Sequence, residues 1–316
     1  MDKVTGEEKT NTEVNDKYGN KVVVPAGFKI INVEDDVTKG IVIQDVSAGN
    51  ENTQGNEYVW IPVGKIYIND KKESTNITLG RYEFDSNTGK ENLVQSSEEY
   101  LQEKYIENAY GERFVELQES RYQNNVAKSL SNFLDKAIKA GGYYIGRYET
   151  GDLEATNERI SSSGDTSTPV IQKGKWPYNF INQNQASSLS QNMYNNNNFS
   201  NDLINSYAYD TALVFIQTFG GDEDYSIQNC ANSIKSIKKT GENILSIDNN
   251  LDIKCNIYDM CGNTREWTTE TADLEDSCSV LRGSYFGENN FYTSSRSKDS
   301  QTSIYSGLSF RGILYL

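Results

Sequence analysis

Residues 256–267 read NIYDMCGNTREW and are the most informative part of the sequence for the fold. Gly262 and Asn263 form a turn dipeptide, because both residue types tolerate a positive φ. Trp267 begins a predicted strand and is well suited to anchor a hydrophobic core. The stretch therefore predicts a tight turn that leads into a buried strand.

Four further stretches accompany it in a fixed order: residues 58–64 (YVWIPVG), 142–149 (GYYIGRYE), 281–285 (LRGSY) and 308–311 (LSFR). Taken together, the set resembles the formylglycine-generating-enzyme/sulfatase-modifying-factor family. The family pattern is WIPxG, a Y-I-G-x-Y-E strand, D-M-x-G-N-x-x-E-W, R-G-G-S and a terminal G-F-R. The D-M-x-G-N-x-x-E-W element is the specific one, and the present chain departs from the pattern by having one Gly after Arg282 instead of two.

The resemblance implies an α+β chain with a C-type-lectin-like, formylglycine-generating-enzyme-like fold and long irregular loops. It covers residues 57–316, with an insertion at 65–140. Residues 21–56 contain β-branched runs and are expected to form a small N-terminal β extension. Residues 1–20 are charged and polar, and we expect them to be a flexible tail or tether.

Ten residues of the quoted stretches are predicted to be structural. Arg282 and Arg311 are expected to bridge loops through paired hydrogen bonds to carboxylates such as Glu266 or Asp259. The predicted structural residues are Trp60, Glu149, Asp259, Gly262, Asn263, Glu266, Trp267, Arg282, Phe310 and Arg311.

Apolar periodicity predicts the helices. Residues 126–140 carry an apolar stripe on one face and end at Gly141. Residues 185–194 and 205–219 are predicted to form two more helices. The polar segment 86–125 is predicted to be a partly helical insertion.

The sequence disfavours catalysis. The chain contains no histidine, which excludes Ser-His-Asp hydrolysis and His-ligated zinc, copper or iron. Oxidising members of the family are similar to each other in a cysteine pair shortly after R-G-G-S, and residues 283–292 contain no cysteine. We therefore expect no enzyme activity; an oxidising enzyme with an atypical site is the alternative.

Charge and hydropathy limit the classes of partner that the chain is expected to bind. The chain has 45 acidic and 30 basic residues and a net charge of −15, so binding to nucleic acid or to an anionic membrane surface is disfavoured. No apolar stretch is long enough to insert into a membrane. The first eight residues are polar, and we expect an export or anchor segment to have preceded Met1.

The four cysteines fit no common zinc spacing. Cys255 and Cys278 flank a predicted strand-loop-strand unit, and we predict a disulfide between them, which indicates an exported protein. The alternative is that all four cysteines are thiols in a reducing compartment.

The segment 285–306 is rich in Tyr, Phe, Asn and Ser and lies between two structural stretches. Such residues on a rigid frame are typical of binding surfaces; an ordinary solvated loop and a low-GC codon bias are the alternatives. The candidate ligand-binding residues are Tyr285, Phe286, Glu288, Asn289, Asn290, Phe291, Tyr292, Ser294, Arg296, Lys298, Asp299 and Tyr305.

No cofactor is predicted, although a structural Ca²⁺ remains an open alternative. Residues 222–224 and 273–276 are acidic runs that would suit it, or that serve only solubility. The segment 285–306 is similar in position and composition to that of non-catalytic family members diversified by retroelements. We thus expect a ligand-binding protein displayed on a cell surface, pilus or virion, which recognises a protein or glycan on another surface. A structural pilin-like or tail subunit is a further alternative.

Overall fold

The computed structural model describes residues 1–118, 128–161, 167–230, 234–242, 252–272 and 278–316. Within these ranges the chain is rich in β-structure and has three α-helices, α1 (Leu130–Ala140), α2 (Gln183–Asn192) and α3 (Ser206–Phe219), which confirms the predicted α+β class. The strands of the described residues are, in chain order, β1 (Thr12–Asn15), β2 (Lys21–Val24), β3 (Phe28–Ile30), β4 (Val42–Asp45), β5 (Glu57–Pro62), β6 (Gly64–Tyr67), β7 (Ser74–Ile77), β8 (Gly80–Phe84), β9 (Glu91–Ser96), β10 (Ile106–Glu107), β11 (Arg113–Val115), β12 (Gly142–Gly146), β13 (Gly151–Asp152), β14 (Pro169–Val170), β15 (Trp176–Pro177), β16 (Ser200–Leu203), β17 (Ile253–Lys254), β18 (Ile257–Tyr258), β19 (Arg265–Ala272), β20 (Cys278–Arg282), β21 (Arg296–Ser300), β22 (Leu308–Phe310) and β23 (Gly312–Tyr315).

One six-stranded antiparallel sheet has the order β16-β23-β12-β5-β4-β3. Tyr144 on β12 lies opposite Trp60 on β5 and Leu314 on β23. The rings of Trp60 and Tyr144 are both buried, with centroids 4.9 Å apart. The stretches 58–64 and 142–149 therefore form neighbouring strands in the centre of this sheet.

The second sheet runs β10-β11-β19-β20-β21, and β22 pairs with β19. Glu266 on β19 is in register with Arg282 on the antiparallel strand β20 and with Ser309 on the parallel strand β22. Three of the stretches quoted from the sequence are thus adjacent strands. The three stretches therefore pack together in one part of this sheet, with β19 between β20 and β22.

The helix α3 contacts β5 of the first sheet and β19 of the second. It is buried from Ser206 to Gln217, as expected of a helix in a core. The Asn205 side chain caps it by accepting a hydrogen bond from the Ala208 amide at 2.9 Å. The prediction for 205–219 agrees with the structure to within one residue.

The other two helices begin at different residues from those predicted. The Ser129 hydroxyl accepts a hydrogen bond from the Asn132 amide, so α1 starts after this cap; Val126 lies outside the described residues. Gly141 ends α1 in the left-handed conformation, at φ 79°, as predicted. A capping box between Asn182 and Gln185 starts α2 two residues earlier than the pattern indicates.

The N-terminal segment differs from the predicted tail. Residues 12–15 form β1, which pairs with β2 over its whole length. Val4 and Val14 are buried in a core cluster, and the N-terminal amino group donates a hydrogen bond to the Val33 carbonyl at 3.0 Å. These contacts hold the segment because Val4 and Val14 are buried in the core and β1 is paired with β2.

The predicted extension 21–56 and insertion 65–140 are joined to the two sheets. The strands β3 and β4 extend the first sheet, while β10 and β11 extend the second. In the described part of 86–125 the helical content is a single 3-10 turn, Ser97–Glu99, instead of the predicted partial helix. None of the helices that the structure describes has the length and apolar content to cross a membrane.

Candidate ligand-binding surface

A network of buried ion pairs lies beneath the segment 285–306. Arg282 donates to Asp210 at 2.6 Å, and Arg296 donates to both Asp210 and Glu270, the latter at 3.1 Å. Arg81 completes the network, 2.6 Å from Glu270. Burial alone would raise the pKa of Glu270, but the three guanidinium groups hold that pKa well below its usual range.

This network corrects two predictions. Arg282 pairs with Asp210 on α3 at 2.6 Å and lies 3.7 Å from Glu270 on β19, instead of pairing with Glu266 or Asp259. Arg296 was expected at the ligand surface, but it is only 7% exposed and belongs to the frame. It begins the edge strand β21, where its guanidinium group reaches Asp210 and Glu270. Lys298 lies two residues later on the same face of the strand and is exposed.

Arg311 joins the ends of several strands. Its Nε donates to Glu266 at 2.8 Å, as the sequence predicts. Its terminal nitrogens donate to the Gly146 carbonyl at 2.8 Å and to the Tyr258 carbonyl at 2.9 Å. One side chain therefore fixes β12, β18, β19 and β22 relative to each other.

The turn of the motif is held by Glu149. One carboxylate oxygen accepts from the Thr264 amide at 2.9 Å and its hydroxyl at 2.6 Å, and the other accepts from the Asn263 amide group at 2.5 Å. Asn263 has φ 77° and Asp259 has φ 66°, so these two occupy the left-handed positions, whereas Gly262 does not. Burial, with Asp259 and Glu266 nearby, raises the pKa of Glu149 to about 8.

All ten predicted structural residues are buried, including Trp60, Trp267 and Phe310. The Trp267 indole donates to the Ile181 carbonyl at 2.9 Å, which gives its buried N–H a partner. The Asp259 carboxylate pairs with Lys238 and accepts from the Gly241 amide at 3.1 Å. These residues hold the two sheets and their loops together.

The predicted disulfide is wrong. The bond joins Cys230 to Cys261, with their Cα atoms 5.3 Å apart, while Cys255 and Cys278 carry thiols. Cys278 lies on β20 opposite Ser300, whereas the Cys255 sulfur lies 3.8 Å from the Thr38 carbonyl. The two cysteines that flank the predicted unit thus sit in different parts of the fold.

The segment 285–295 is an ordered loop that lies against Ser226, Gln228 and Ile234. Its backbone amides at Gly287, Thr293 and Ser294 donate to the carbonyls of these residues at 2.8–2.9 Å. The Glu288 carboxylate accepts from the two amides that follow it, at 2.9 and 3.0 Å. These bonds hold the backbone of the loop in place, while the side chains of Asn289, Asn290 and Tyr292 are exposed.

The predicted ligand-binding residues divide by exposure. Asn289, Asn290, Tyr292 and Lys298 are exposed, and Tyr292 is the most open aromatic of the segment at 42%. The half-buried members are Tyr285, Phe286, Glu288, Phe291, Ser294, Asp299 and Tyr305. With Arg296 removed, the other eleven line one continuous segment between the frame residues Arg282 and Arg311.

Arg265 is a residue of this region that sequence reasoning missed. Its guanidinium carbon lies 3.6 Å from the centroid of the Phe291 ring and 5.0 Å from that of Tyr285. The sequence offers one signal for it. Arg265 is a long cationic residue inside the motif, between Thr264 and Glu266.

The acidic runs give no calcium site in the described residues. Asp222 pairs with Lys254, and residues 273–276 lie outside the described ranges. Where the chain is described, no group of three or more acidic or cysteine side chains is arranged to hold a metal ion. Calcium binding stays an untested alternative of the sequence.

A surface cavity of about 390 Å³ lies away from the segment 285–306. Thr38, Lys39, Cys255 and Asn256 are among its lining residues. Burial raises the pKa of the Cys255 thiol to about 12, so this sulfur stays protonated at neutral pH. The cavity therefore offers no activated nucleophile.

Comparisons with known proteins give distant similarity at most. No family model matches the chain, and no curated protein matches it. Among solved structures the chain is similar to Treponema denticola variable protein 1, with 13% identity and a TM-score of 0.42. That match covers 84% of this chain and 97% of the other. The resemblance to the sulfatase-modifying-factor family stays a prediction.

Proposed function

We propose that this chain is a non-catalytic binding protein that recognises its target through the surface of residues 285–306. The observation that carries the proposal is an ordered loop of exposed amide and aromatic side chains on a frame of buried ion pairs. Binding residues are commonly placed on loops that a rigid scaffold holds. Asn and Tyr contribute contact area and hydrogen bonds at low entropic cost.

The frame and the surface are separate sets of residues. Arg282, Arg296 and Arg311 pair with carboxylates inside the protein, whereas Asn290 and Tyr292 are exposed. The exposed side chains can therefore be exchanged without breaking a buried ion pair. This separation supports a C-type-lectin-like frame with a recognition segment diversified by a retroelement.

The chemistry of the described cysteines and carboxylates supports a non-catalytic role. Cys261, which lies within the motif, is bound in the disulfide, and the Cys255 thiol is buried with a raised pKa. Glu266 and Glu270 form ion pairs with arginines. These groups are occupied in holding the fold.

We also propose that the protein is exported and displayed on a cell, pilus or virion, where it meets a protein or glycan on another surface. The disulfide between Cys230 and Cys261 supports an oxidising compartment. The net charge of −15 supports a partner other than nucleic acid.

The experiment is a binding screen of the purified chain against a glycan array and against extracted surface proteins. For each hit, the wild type is compared with the double variant Asn290→Ala/Tyr292→Ala. The control is Tyr18→Ala on the β1–β2 hairpin, and thermal unfolding verifies that all three proteins are folded.

We expect the double variant to lose at least tenfold in affinity, as for hot-spot residues, and the control to bind like the wild type. Equal binding by all three proteins would contradict the proposed surface. If the chain binds only other copies of itself and none of the glycans or surface proteins, a structural subunit would be favoured.

A further inference from the structure

The buried arginines of the described residues differ in one respect. Arg81, Arg282, Arg296 and Arg311 each have a carboxylate oxygen within 3.1 Å. Arg265 is also buried, at 7% exposed, yet no carboxylate oxygen of the described residues lies within 4.0 Å of its guanidinium group. Burying a charge without a partner is costly, so this arrangement needs a reason.

Two aromatic rings lie against this guanidinium group. The Phe291 ring is 3.6 Å from the Arg265 guanidinium carbon and the Tyr285 ring is 5.0 Å away. Stacking uses the faces of the group and leaves its N–H donors in the plane. The Nε atom is buried and has no hydrogen-bond partner. The Arg265 side chain bonds that of Tyr305, while its Nε–H has no partner in the described residues.

The backbone fixes this arrangement. The Arg265 amide donates to the Gly307 carbonyl at 2.8 Å, and Arg265 is in register with Leu308 on β22. The Tyr285 ring packs on Gly307 so closely that an added Cβ would lie 2.7 Å from the ring. The strand and the ring are thus positioned before any ligand arrives.

The electrostatic surroundings of Arg265 favour an anionic partner. Burial lowers the pKa of Arg265, while Tyr305, Tyr285 and Glu288 oppose that change. Burial thus outweighs the favourable contributions of these neighbours to the charged form. An external anion would complete the compensation.

We propose that Arg265, in contact with the rings of Tyr285 and Phe291 and next to Tyr305, binds a carboxylate group of the ligand. This inference rests on the proposed function and specifies the chemistry of its ligand. The guanidinium fork matches a carboxylate in a bidentate geometry. Glu288 and Asp299 line the same segment and disfavour a doubly charged phosphate. The aromatic rings suit the apolar part of a molecule that carries the carboxylate, which is either an acidic sugar or an acidic peptide.

The direct test observes the Nε–H signal of Arg265 by NMR in the ¹⁵N-labelled chain. Arg265→Lys assigns the signal by its loss. Sodium acetate is the probe, and sodium chloride at equal ionic strength and uncharged acetamide are the controls. We expect a saturable shift with acetate alone, confined to Arg265 among the arginines. A shift that is no larger with acetate than with chloride would overturn the proposal.

A second measurement compares 3′-sialyllactose with a glutamate-containing tetrapeptide on wild type, Arg265→Gln, Arg265→Lys and Lys65→Gln. Lys65 lies 5.1 Å from the Tyr67 ring on the β6–β7 hairpin, so its variant removes an exposed ring-stacked cation elsewhere. We expect Arg265→Gln to weaken the tighter probe at least tenfold and Arg265→Lys to weaken it less. The tighter probe identifies the source of the carboxylate. Equal affinities across all four proteins would refute the role of Arg265.

The two proposals fail separately. If acetate leaves Arg265 unchanged but Asn290→Ala/Tyr292→Ala still abolishes target binding, the surface is correct and the carboxylate site is wrong. If acetate binds at Arg265 but the double variant binds its targets normally, the recognition surface has to be redrawn around Arg265.

Discussion

Asp210 and Glu270 show why the frame is rigid. The two buried carboxylates face three guanidinium groups from β8, β20 and β21. A buried ion pair adds little to the free energy of unfolding compared with an apolar replacement. Removing one partner, however, leaves the other charges buried without compensation. The geometry of the segment 285–306 therefore depends on residues that never reach its surface.

The variant Asp210→Asn tests this dependence. It leaves Arg282 and Arg296 with reduced compensation, so we expect the free energy of unfolding to fall by about 3–5 kcal/mol. Urea unfolding measures the change. Asp70→Asn, at an exposed turn, is the matched control and should change the free energy of unfolding by less than about 0.5 kcal/mol. A similar small effect at Asp210 would contradict the frame.

At this scale the sequence predicted the residues better than their partners. Arg282 and Arg311 were recognised as structural, and Glu266 was named as a partner of Arg311. Asp210 was missed because it lies 72 residues from Arg282, on a helix whose pattern was read only for its apolar positions. Arg296 was wrongly assigned to the exposed surface, because β21 consists of polar residues and its sequence does not reveal which of them is buried.

At the scale of elements, the N-terminal hairpin is the clearest departure from the sequence prediction. Residues 1–20 are polar on average, but β1 pairs with β2 and places Val14 in the core. The average composition of residues 1–20 does not reveal that Val14 is the apolar residue of β1 and is buried. In contrast, α3 was predicted closely because its apolar residues and its Asn205 cap agree.

The variant Val14→Ala tests the hairpin. Val14 is 3% exposed, so its truncation should lower the free energy of unfolding by about 1–3 kcal/mol. Glu13→Ala on the opposite face of β1 is the control, because its weak ion pair with Lys21 is exposed. Equal stability of the two variants in urea unfolding would show that residues 1–20 behave as the predicted tail.

The disulfide gives a second prediction for an element. Cys230 and Cys261 are 31 residues apart, and closing such a loop is worth roughly 3–4 kcal/mol in the chain-entropy model. Cys230→Ser/Cys261→Ser should lose about that stability, whereas Cys255→Ser/Cys278→Ser should retain the bond. Alkylation followed by peptide mass spectrometry identifies the pairing; a peptide linking Cys255 to Cys278 would contradict the structure. Spacing cannot decide the pairing, because four cysteines allow three connectivities.

For the whole molecule, buried carboxylates determine how stability depends on pH. Burial raises the pKa of Glu116 to about 7, of Glu149 to about 8 and of Asp202 to about 6. Because these folded-state values exceed the unfolded ones, the folded state binds more protons between about pH 4.5 and pH 8. Stability from these groups is complete below that window and is lost as the pH rises through it.

We therefore expect the chain to be at least about 2 kcal/mol more stable near pH 5 than near pH 8.5. The net charge of −15 adds repulsion in the same direction. Urea unfolding across this range measures the effect, and Glu116→Gln should flatten its lower part. Stability that rises with pH over the same range would contradict the protonation states inferred for the core.

Residues 285–306 are proposed as the recognition surface and the ion-paired residues as its frame. Sequencing this locus and its flanks from many sibling isolates tests both parts together. The account predicts that coding differences concentrate at exposed positions such as Asn289, Asn290 and Tyr292, while Arg282 and Arg311 stay fixed, with a near-copy of the stretch for 283–311 beside a reverse transcriptase. Differences scattered evenly along the chain, with no such copy, would contradict it.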